Sequence, residues 1–243
     1  MCWRVAWVCF GLLVAGTLFA DDGGKLLRVD HYVPVKSAVP SIAGQETQVY
    51  VREVVLAGTV LRGRVPADRV VLFVHGAGTP AEVAFDVPYQ DYSWMAFLAR
   101  AGYDVFSVDM TGYGRSTRPP AMNDACNLSK EQQAGLASLA SKECVPSYPH
   151  PLTTIASDWN DIDAAVNYIL KLRQVERVHL AGWSMGGPRA GGYAAQHPDK
   201  VGRLVLLAPA YNPEGPSQAP AQLPEGAAFN TQSRAEFDAN WER

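Results

Sequence analysis

Short apolar runs alternate with amphipathic segments through the middle of the chain. Val70–Val74 is a continuous apolar run, which is typical of a strand buried on both faces of a parallel sheet. Further strands are predicted at Tyr103–Val108, Arg177–Ala181 and Arg203–Leu207, and helices at Asp91–Ala101, Thr153–Leu172, Pro188–Gln196 and Ala235–Arg243. The alternation indicates βαβ units, so the predicted fold class is α/β, with a mostly parallel sheet flanked by helices.

The segments outside this pattern are less regular. Residues 21–46 are predicted to form an N-terminal extension with at most one edge strand, and residues 47–243 to form the folded domain. At the start of the domain, Gln48–Leu56 and Thr59–Val65 are predicted as two joined strands. Residues 119–151 contain prolines, two cysteines and a polar middle, so we expect an insertion there.

The first residues predict export. Residues 1–20 carry one charge, Arg4, ahead of an apolar run from Val5 to Ala20, as in a secretory signal peptide. The run has 16 residues, fewer than the ~20 that a spanning helix needs. We therefore expect a secreted or periplasmic protein with no stable membrane span after cleavage. The alternative is an uncleaved membrane anchor.

Composition narrows the possible functions. Apolar residues make up 48% and charged residues 19% of the chain, which excludes a disordered or coiled-coil protein. The formal net charge of −3 gives no basic excess, so no nucleic-acid partner is expected. The sequence has no CxxC pair, metal-ligand cluster or phosphate loop, so neither a metal nor a cofactor is expected. Signal cleavage would leave Cys126 and Cys144, which we expect to form a disulfide in an oxidising compartment.

The sharpest chemical signal is the segment GWSMGG, residues 182–187, between a predicted strand and a predicted helix. A serine hydroxyl becomes a useful nucleophile when it is held beside a base and lifted away from the backbone. A strained strand-to-helix turn lifts it, and such a turn needs small residues, here Gly182 and Gly186, on either side of Ser184. Ser184 is therefore the candidate nucleophile. The alternative is a glycine-rich turn with an incidental serine.

A second signal, His75-Gly76-Ala77-Gly78, follows the first buried strand. An oxyanion hole needs two backbone N–H groups aimed at the developing negative charge. We expect the N–H groups of Ala77 and Met185 to supply them. His75, with Gly76, is assigned a supporting role that orders the loop, rather than the role of general base.

A third signal, DMTGYGRS, begins at Asp109 and ends at Ser116. Asp109 ends a predicted strand, and the two glycines permit a tight loop. A catalytic role for Asp109 is one hypothesis. The favoured interpretation is structural, with its carboxylate accepting backbone N–H groups of the loop.

These three motifs, in this order and spacing, resemble the serine-nucleophile branch of the α/β-hydrolase fold family. The matching pattern is H-G-x-G after the third strand, D-x-x-G-x-G-x-S after the fourth and G-W-S-M-G-G after the fifth. It extends from about Gln48 to Pro209. The resemblance implies Ser184 as nucleophile, with Ala77 and Met185 as oxyanion donors. It disfavours the haloalkane dehalogenases and epoxide hydrolases of this fold, which have an Asp in place of Ser184.

The other members of a catalytic triad are not found in the sequence. In this fold an acid and then a histidine follow the nucleophile. The only histidine after Ser184 is His197, which ends the helix that starts at the nucleophile and is out of reach at ~1.5 Å per residue. Glu214 is a candidate acid after the last predicted strand. His31, His150 and His179 are no better candidates than His197 for the catalytic histidine.

Two functional hypotheses follow. The first is a serine hydrolase that acts on a small-molecule ester or related acyl compound through an acyl-enzyme on Ser184. The second is a truncated or non-catalytic protein of this fold, without a complete triad. Absence of the last strands would leave an exposed sheet edge, which favours truncation. An acyltransferase or perhydrolase would use the same triad, so the sequence does not separate it from a hydrolase.

Overall fold

The computed structural model describes residues 24–61, 65–136, 144–210 and 223–241. The predicted signal peptide, residues 1–20, and the candidate acid Glu214 lie outside these ranges. Within them, no helix combines the length and apolarity that a membrane crossing requires.

A six-stranded sheet forms the centre of the fold. Its strands are β1 (Leu26–Lys36), β2 (Glu46–Leu56), β3 (Val70–Val74), β4 (Asp104–Val108), β5 (Val178–Trp183) and β6 (Val201–Leu207). They lie in the order β1-β2-β4-β3-β5-β6. The β1–β2 and β2–β4 pairs are antiparallel, whereas β4, β3, β5 and β6 run parallel. The predicted α/β class with a mostly parallel sheet is confirmed.

Helices lie on both faces of this sheet. The helices of the described residues are α1 (Ala57–Leu61), α2 (Ala81–Phe85), α3 (Trp94–Arg100), α4 (Lys130–Ala134), α5 (Ile155–Arg173), α6 (Gly186–Gln196) and α7 (Arg234–Trp241). Alternate residues of the buried strand β3 face opposite sides, as a pleated strand requires. Val70, Leu72 and Val74 pack in the core cluster that includes α5 and α6. Val71 and Phe73 pack in the cluster that includes α2 and α3.

Parallel pairing brings two of the sequence motifs together. Val74 lies opposite Gly182 in the β3–β5 register. Both strands end near this pair, so the loop that begins at His75 and the turn at Ser184 leave the sheet at the same edge. Loops at the carboxyl ends of parallel strands are where open α/β sheets bind their ligands.

The amino-terminal part differs from the prediction in one element. Thr59–Val65 is predicted as a strand, but Ala57–Leu61 is helical and the partner of β2 is β1. β1 pairs with β2 along its full 11 residues, so that edge of β2 is already occupied. The N–H of Ala57 donates to the Lys25 carbonyl where the chain turns away from the sheet. The strand prediction is therefore wrong for Thr59–Leu61, while residues 62–64 lie outside the described residues, and β1 is the edge strand expected in residues 21–46.

The insertion at residues 119–151 is tied together covalently and by a buried amide. A disulfide joins Cys126 and Cys144, with their Cα atoms 5.2 Å apart. Asn127, which is fully buried, donates to the Ala121 carbonyl at 2.8 Å and to the Ser147 hydroxyl at 3.1 Å. Asn127 thus links the two ends of this segment, on either side of residues 137–143, which lie outside the described ranges.

Candidate active site

Ser184 occupies a sharp turn between β5 and α6. Its φ angle is +54°, in the left-handed region that costs a non-glycine residue about 1–3 kcal/mol. Its N–H donates to the Leu207 carbonyl at 3.0 Å, and its carbonyl accepts the N–H groups of Gly187 and Ala210 at 2.9 Å each. These three hydrogen bonds hold the strained backbone, and Ser184 is half-buried at the tip of the turn.

Two glycines let the turn close against its neighbours. A Cβ atom at Gly182 would lie 2.2 Å from the Gly186 carbonyl oxygen, and one at Gly186 would lie 2.1 Å from the Val74 carbonyl oxygen. Neither position has room for a side chain. The start of α6 can therefore approach β5 and the end of β3 because both residues are glycine.

The loop after β3 lies directly against Ser184. A Cβ atom at Gly76 would lie 3.0 Å from the Ser184 Cβ and 3.4 Å from its Oγ. Ala77 and Gly78 are exposed at the tip of this loop, and Met185 caps the start of α6 on the other side of Ser184. The backbone segments that carry the two predicted oxyanion donors, Ala77 and Met185, thus meet at Ser184.

His75 is fully buried beneath this loop, and both of its ring nitrogens have partners. Nε2 accepts the Met110 N–H at 3.1 Å, which assigns the ring proton to Nδ1, and Nδ1 donates to the Gly76 carbonyl at 2.6 Å. Burial, together with the nearby charge of Arg189, lowers the pKa of His75 to about 3. The imidazole is therefore neutral. It orders the loop and has no free nitrogen for the Ser184 proton.

Asp109 has the structural position predicted for it. Its Oδ1 accepts the Ala81 N–H at 2.7 Å and its Oδ2 accepts the Arg115 N–H at 3.0 Å. Burial raises the pKa of this carboxyl. A Cβ atom at Gly114 would lie 1.9 Å from Oδ2, so the loop closes around the carboxylate only with glycine there.

The sequence patterns missed a buried ion pair behind the turn. Arg189 on α6 is 4% exposed, and its Nε donates to Asp158 Oδ2 on α5 at 2.7 Å. Its Nη1 donates to the carbonyls of His75 at 3.1 Å and Gly76 at 3.3 Å. Burial raises the pKa of Asp158, while Arg189 acts in the opposite direction. The available signal was a single charged residue in the α6 sequence GGPRAGGYAAQ.

The other histidines have partners elsewhere. His31 bonds to Glu53 and Tyr168, and His179 bonds to the Asp68 carbonyl. The His150 ring meets the Tyr148 ring edge-on, and the His197 ring packs at a tilt against the Tyr193 ring. In the ranges described above, none of them hydrogen-bonds with the Ser184 hydroxyl. The same ranges contain no group of three or more His, Cys, Asp or Glu side chains that could hold a metal ion.

An apolar groove of about 650 Å³ lies on the α3 face of the sheet, next to the turn. Large side chains that line this α3-side groove are Phe73, Trp94, Phe97, Trp183, Val205 and Leu207. Ser184 is not among its lining residues, although its neighbour Trp183 is. One wall is β6, the edge strand of the described sheet, and Val205 on this strand is 61% exposed. The groove is therefore an open sheet face rather than a pocket around the nucleophile.

Comparison with known proteins finds one family model that covers most of the sheet and both loops. Residues 69–242 match the model described as alpha/beta hydrolase fold. A 2-hydroxy-6-oxononadienedioate/2-hydroxy-6-oxononatrienedioate hydrolase of Paraburkholderia phymatum is 29% identical over 163 residues, which are 64% of this chain and 41% of that protein. The match thus spans less than half the length of that relative.

Solved structures with the same general architecture have low sequence identity to this chain. A CIB-like hydrolase from Thermoplasma acidophilum has a TM-score of 0.46 at 20% identity, covering 76% of this chain and 65% of that chain. The 2-hydroxy-6-oxo-6-phenylhexa-2,4-dienoate hydrolase from Rhodococcus sp. has a TM-score of 0.45 at 16% identity, covering 78% of this chain and 50% of that chain.

Proposed function

This chain belongs to the α/β-hydrolase fold family, and we propose that it is a serine hydrolase with Ser184 as its nucleophile. The observation that carries the proposal is the strained backbone of Ser184, with a φ of +54° between a strand and a helix. Backbone strain of this kind persists only where the surrounding structure enforces it, and it is concentrated at functional sites. The close approach of Gly76 to the Ser184 side chain supports the same assignment.

In the proposed reaction, the Ser184 Oγ attacks the carbonyl carbon of an ester or related acyl compound. The carbonyl oxygen gains negative charge and accepts hydrogen bonds from the N–H groups of Ala77 and Met185. The bond to the leaving group breaks, the leaving group departs with the proton, and an acyl-enzyme remains on Ser184. Water then hydrolyses this intermediate to the free acid and restores the serine.

We propose a small carbonyl compound as the substrate. A serine nucleophile facing two N–H donors suits acyl transfer, because the charge develops on the carbonyl oxygen. The Paraburkholderia relative is named as the hydrolase of an oxo-dienedioate, which is also a small carbonyl compound. The signal-like sequence of residues 1–20 leads us to propose that the protein acts in the periplasm or outside the cell.

A second candidate is a non-catalytic protein of the same fold, and the positions of the histidines favour it. All five histidines of the sequence lie in described residues, and none bonds to the Ser184 hydroxyl. Without a base, this hydroxyl stays protonated at neutral pH. Oxyanion donors and binding alone leave a rate about 10³–10⁴-fold above that in water, far below that of a working triad.

A fluorophosphonate probe tests the nucleophile. We expect peptide mass spectrometry of the treated protein to find the label on Ser184. Ser184→Ala should abolish the labelling because it removes the attacking oxygen. Ser147→Ala, at an exposed serine of the insertion, should leave it unchanged. Labelling that survives Ser184→Ala would show that another residue is the nucleophile.

Ester turnover separates the two candidate functions. We expect the protein to hydrolyse p-nitrophenyl acetate and butyrate, and Ser184→Ala to abolish this turnover. A protein that is neither labelled nor active would favour the non-catalytic candidate. Turnover by residues 21–243 alone, abolished by Ser184→Ala, would mean that a histidine among these residues completes the triad.

A further inference from the structure

The buried ion pair behind the nucleophile has a geometry that suits a role in catalysis. We propose that Arg189 is a positioning residue, which aims the N–H of Ala77 into the oxyanion hole by fixing the carbonyl of the preceding residue, Gly76. The inference rests on the proposed function, because it assumes that an oxyanion forms beside Ser184. It assigns a task to a residue that lies behind the loop and does not contact the substrate.

Arg189 is held in one orientation by contacts on both sides. Its Nε donates to Asp158 Oδ2 at 2.7 Å, and its Nη1 donates to two consecutive backbone carbonyls, those of His75 at 3.1 Å and Gly76 at 3.3 Å. A guanidinium is a planar fork whose donors have fixed relative directions, so the Asp158 contact also fixes where Nη1 points. The rigid Arg189 guanidinium therefore fixes the position of the loop carbonyls relative to helix α5.

The direction of the Gly76 carbonyl determines the direction of the Ala77 N–H. The two groups belong to one planar trans peptide, in which C=O and N–H point in opposite directions. Arg189 and the His75 ring hold the Gly76 oxygen on the buried side of the loop. The Ala77 N–H must then point away from the buried side; Ala77 is exposed, and the preceding residue, Gly76, lies against the Ser184 side chain.

Tyr113 completes the support of this loop. The centroid of its ring lies 4.6 Å from the centroid of the His75 ring and 5.7 Å from the Arg189 guanidinium carbon. Its hydroxyl is 3.5 Å from the Gly78 nitrogen, which donates to it. Tyr113 thus packs against both groups that bind the Gly76 carbonyl, which limits the freedom of either to turn away.

A purely structural ion pair would stabilise the fold and leave the reaction unaffected, so the test must measure oxyanion stabilisation itself. Ser184→Cys provides this, because a thiolate attacks without a general base. Acetylation of the thiolate by p-nitrophenyl acetate passes through an oxyanion and releases p-nitrophenolate. Alkylation of the same thiolate by iodoacetamide displaces iodide and forms no oxyanion. Both rates at position 184 are followed by peptide mass spectrometry on the full chain. Because both reactions use the same thiolate, the ratio of acetylation rate to alkylation rate does not depend on how much of the thiol is ionised.

In the Ser184→Cys chain, we expect the ratio of acetylation rate to alkylation rate to be well above the ratio measured for free N-acetylcysteine. Adding Arg189→Met should lower this ratio about tenfold or more and leave the alkylation rate unchanged. Complete loss of an oxyanion donor costs roughly 10²–10³-fold, and a misdirected donor should cost part of that. Arg177→Met, which removes an exposed cation, is the matched control and should leave the ratio unchanged.

Removal of Arg189 alone leaves Asp158 buried without a partner, which can prevent folding. The neutral pair Asp158→Leu/Arg189→Met avoids that penalty and still removes the carbonyl contacts, so its ratio should fall as well. Arg189→Lys is the second safeguard, because it keeps a cation for Asp158 but lacks the planar fork. Its ratio should also fall.

The outcomes separate this inference from the proposed function. A Ser184→Cys ratio no higher than that of N-acetylcysteine would show that the loop stabilises no oxyanion, which overturns both. A high ratio that stays unchanged in a folded Arg189 variant, including Arg189→Lys, would overturn the positioning role alone. A fall in the ratio with unchanged alkylation supports it.

Discussion

At the scale of single residues, the groups at the site divide into those in the turn around Ser184 and those buried behind it, between α5, α6 and the loop after β4. Ser184 and Gly186 lie within a short motif, so local spacing reveals them. Asp158, Asp161 and Arg189 act through contacts between α5 and α6, or between α5 and the loop after β4, which are far apart in sequence. A helical pattern shows such residues as polar positions and does not show that tertiary packing buries them.

Asp161 provides a prediction about pH. Its Oδ2 accepts the Thr111 N–H at 2.7 Å, its Oδ1 has no hydrogen-bond partner in the described structure, and burial raises its pKa to about 6. The folded protein therefore binds a proton there more readily than the unfolded chain, whose Asp pKa is about 3.9. Stability linked to this group falls as pH rises from about 4 to about 6.

Asp161→Asn should therefore stabilise the protein more at higher pH. It keeps an acceptor for the Thr111 N–H and removes the buried charge. Urea denaturation measures the free energy of unfolding of the variant relative to the parent chain. We expect the substitution to raise this free energy by about 2 kcal/mol more near pH 7.5 than near pH 4.5. Asp163→Asn on the same helix should show no such gain, because Lys200 and Tyr193 help to lower the pKa of Asp163. Equal effects of Asp161→Asn at both pH values would contradict the assignment.

At the scale of elements, the buried strands were the most predictable part. β4 was predicted as Tyr103–Val108 and spans Asp104–Val108. The prediction succeeds because a short, continuous apolar run between turn signals is typical of a strand buried in a parallel sheet. β1 was harder to recognise, since at the sheet edge it is largely exposed and mixes polar with apolar residues. Pairing with β2 rather than hydrophobicity makes it a strand. The Thr59–Val65 error has the same origin, because the pattern does not show which segment occupies the edge of β2.

Helix α6 allows a matched pair of glycine substitutions. Gly186→Ala would place a Cβ 2.1 Å from the Val74 carbonyl oxygen, so the start of α6 must move away from β3. We expect it to lower the free energy of unfolding by about 1–3 kcal/mol and to disturb the turn at Ser184. A Cβ at Gly191 meets nothing within 4 Å, and alanine favours a helix over glycine by about 1 kcal/mol. Gly191→Ala should therefore be neutral or stabilising.

Urea denaturation of both variants measures this difference. If Gly186→Ala proved as stable as Gly191→Ala, the close approach of α6 to the end of β3 would not be required by the fold.

At the scale of the whole molecule, one face of the described sheet is apolar and open. The α3-side groove and the edge strand β6 form a continuous surface, in which Phe97 is 69% and Val205 is 61% exposed. Large contiguous apolar patches and unpaired strand edges both promote association. The sequence predicted an uncovered edge after the last apolar run, but not how far the opening extends along the sheet.

Residues 21–243 should therefore self-associate through this face. We expect light scattering after gel filtration to show species larger than a monomer, together with binding of the dye ANS. Val205→Lys should reduce both, because it places a charge in the patch. Val145→Lys changes a still more exposed valine (80%) outside the groove and should have little effect. A monomeric parent chain, or equal effects of the two substitutions, would contradict this prediction.

The backbone of Ser184 is hydrogen-bonded to that same edge. Leu207 at the end of β6, and Ala210 just beyond it, each make a hydrogen bond to Ser184. Elements at a sheet edge open at a lower free-energy cost than those at its centre. If the end of β6 opened, the left-handed backbone of Ser184 would lose two of its three hydrogen bonds. We therefore expect a ligand or chain segment that binds the end of β6 in its paired form to stabilise the conformation of Ser184 by mass action.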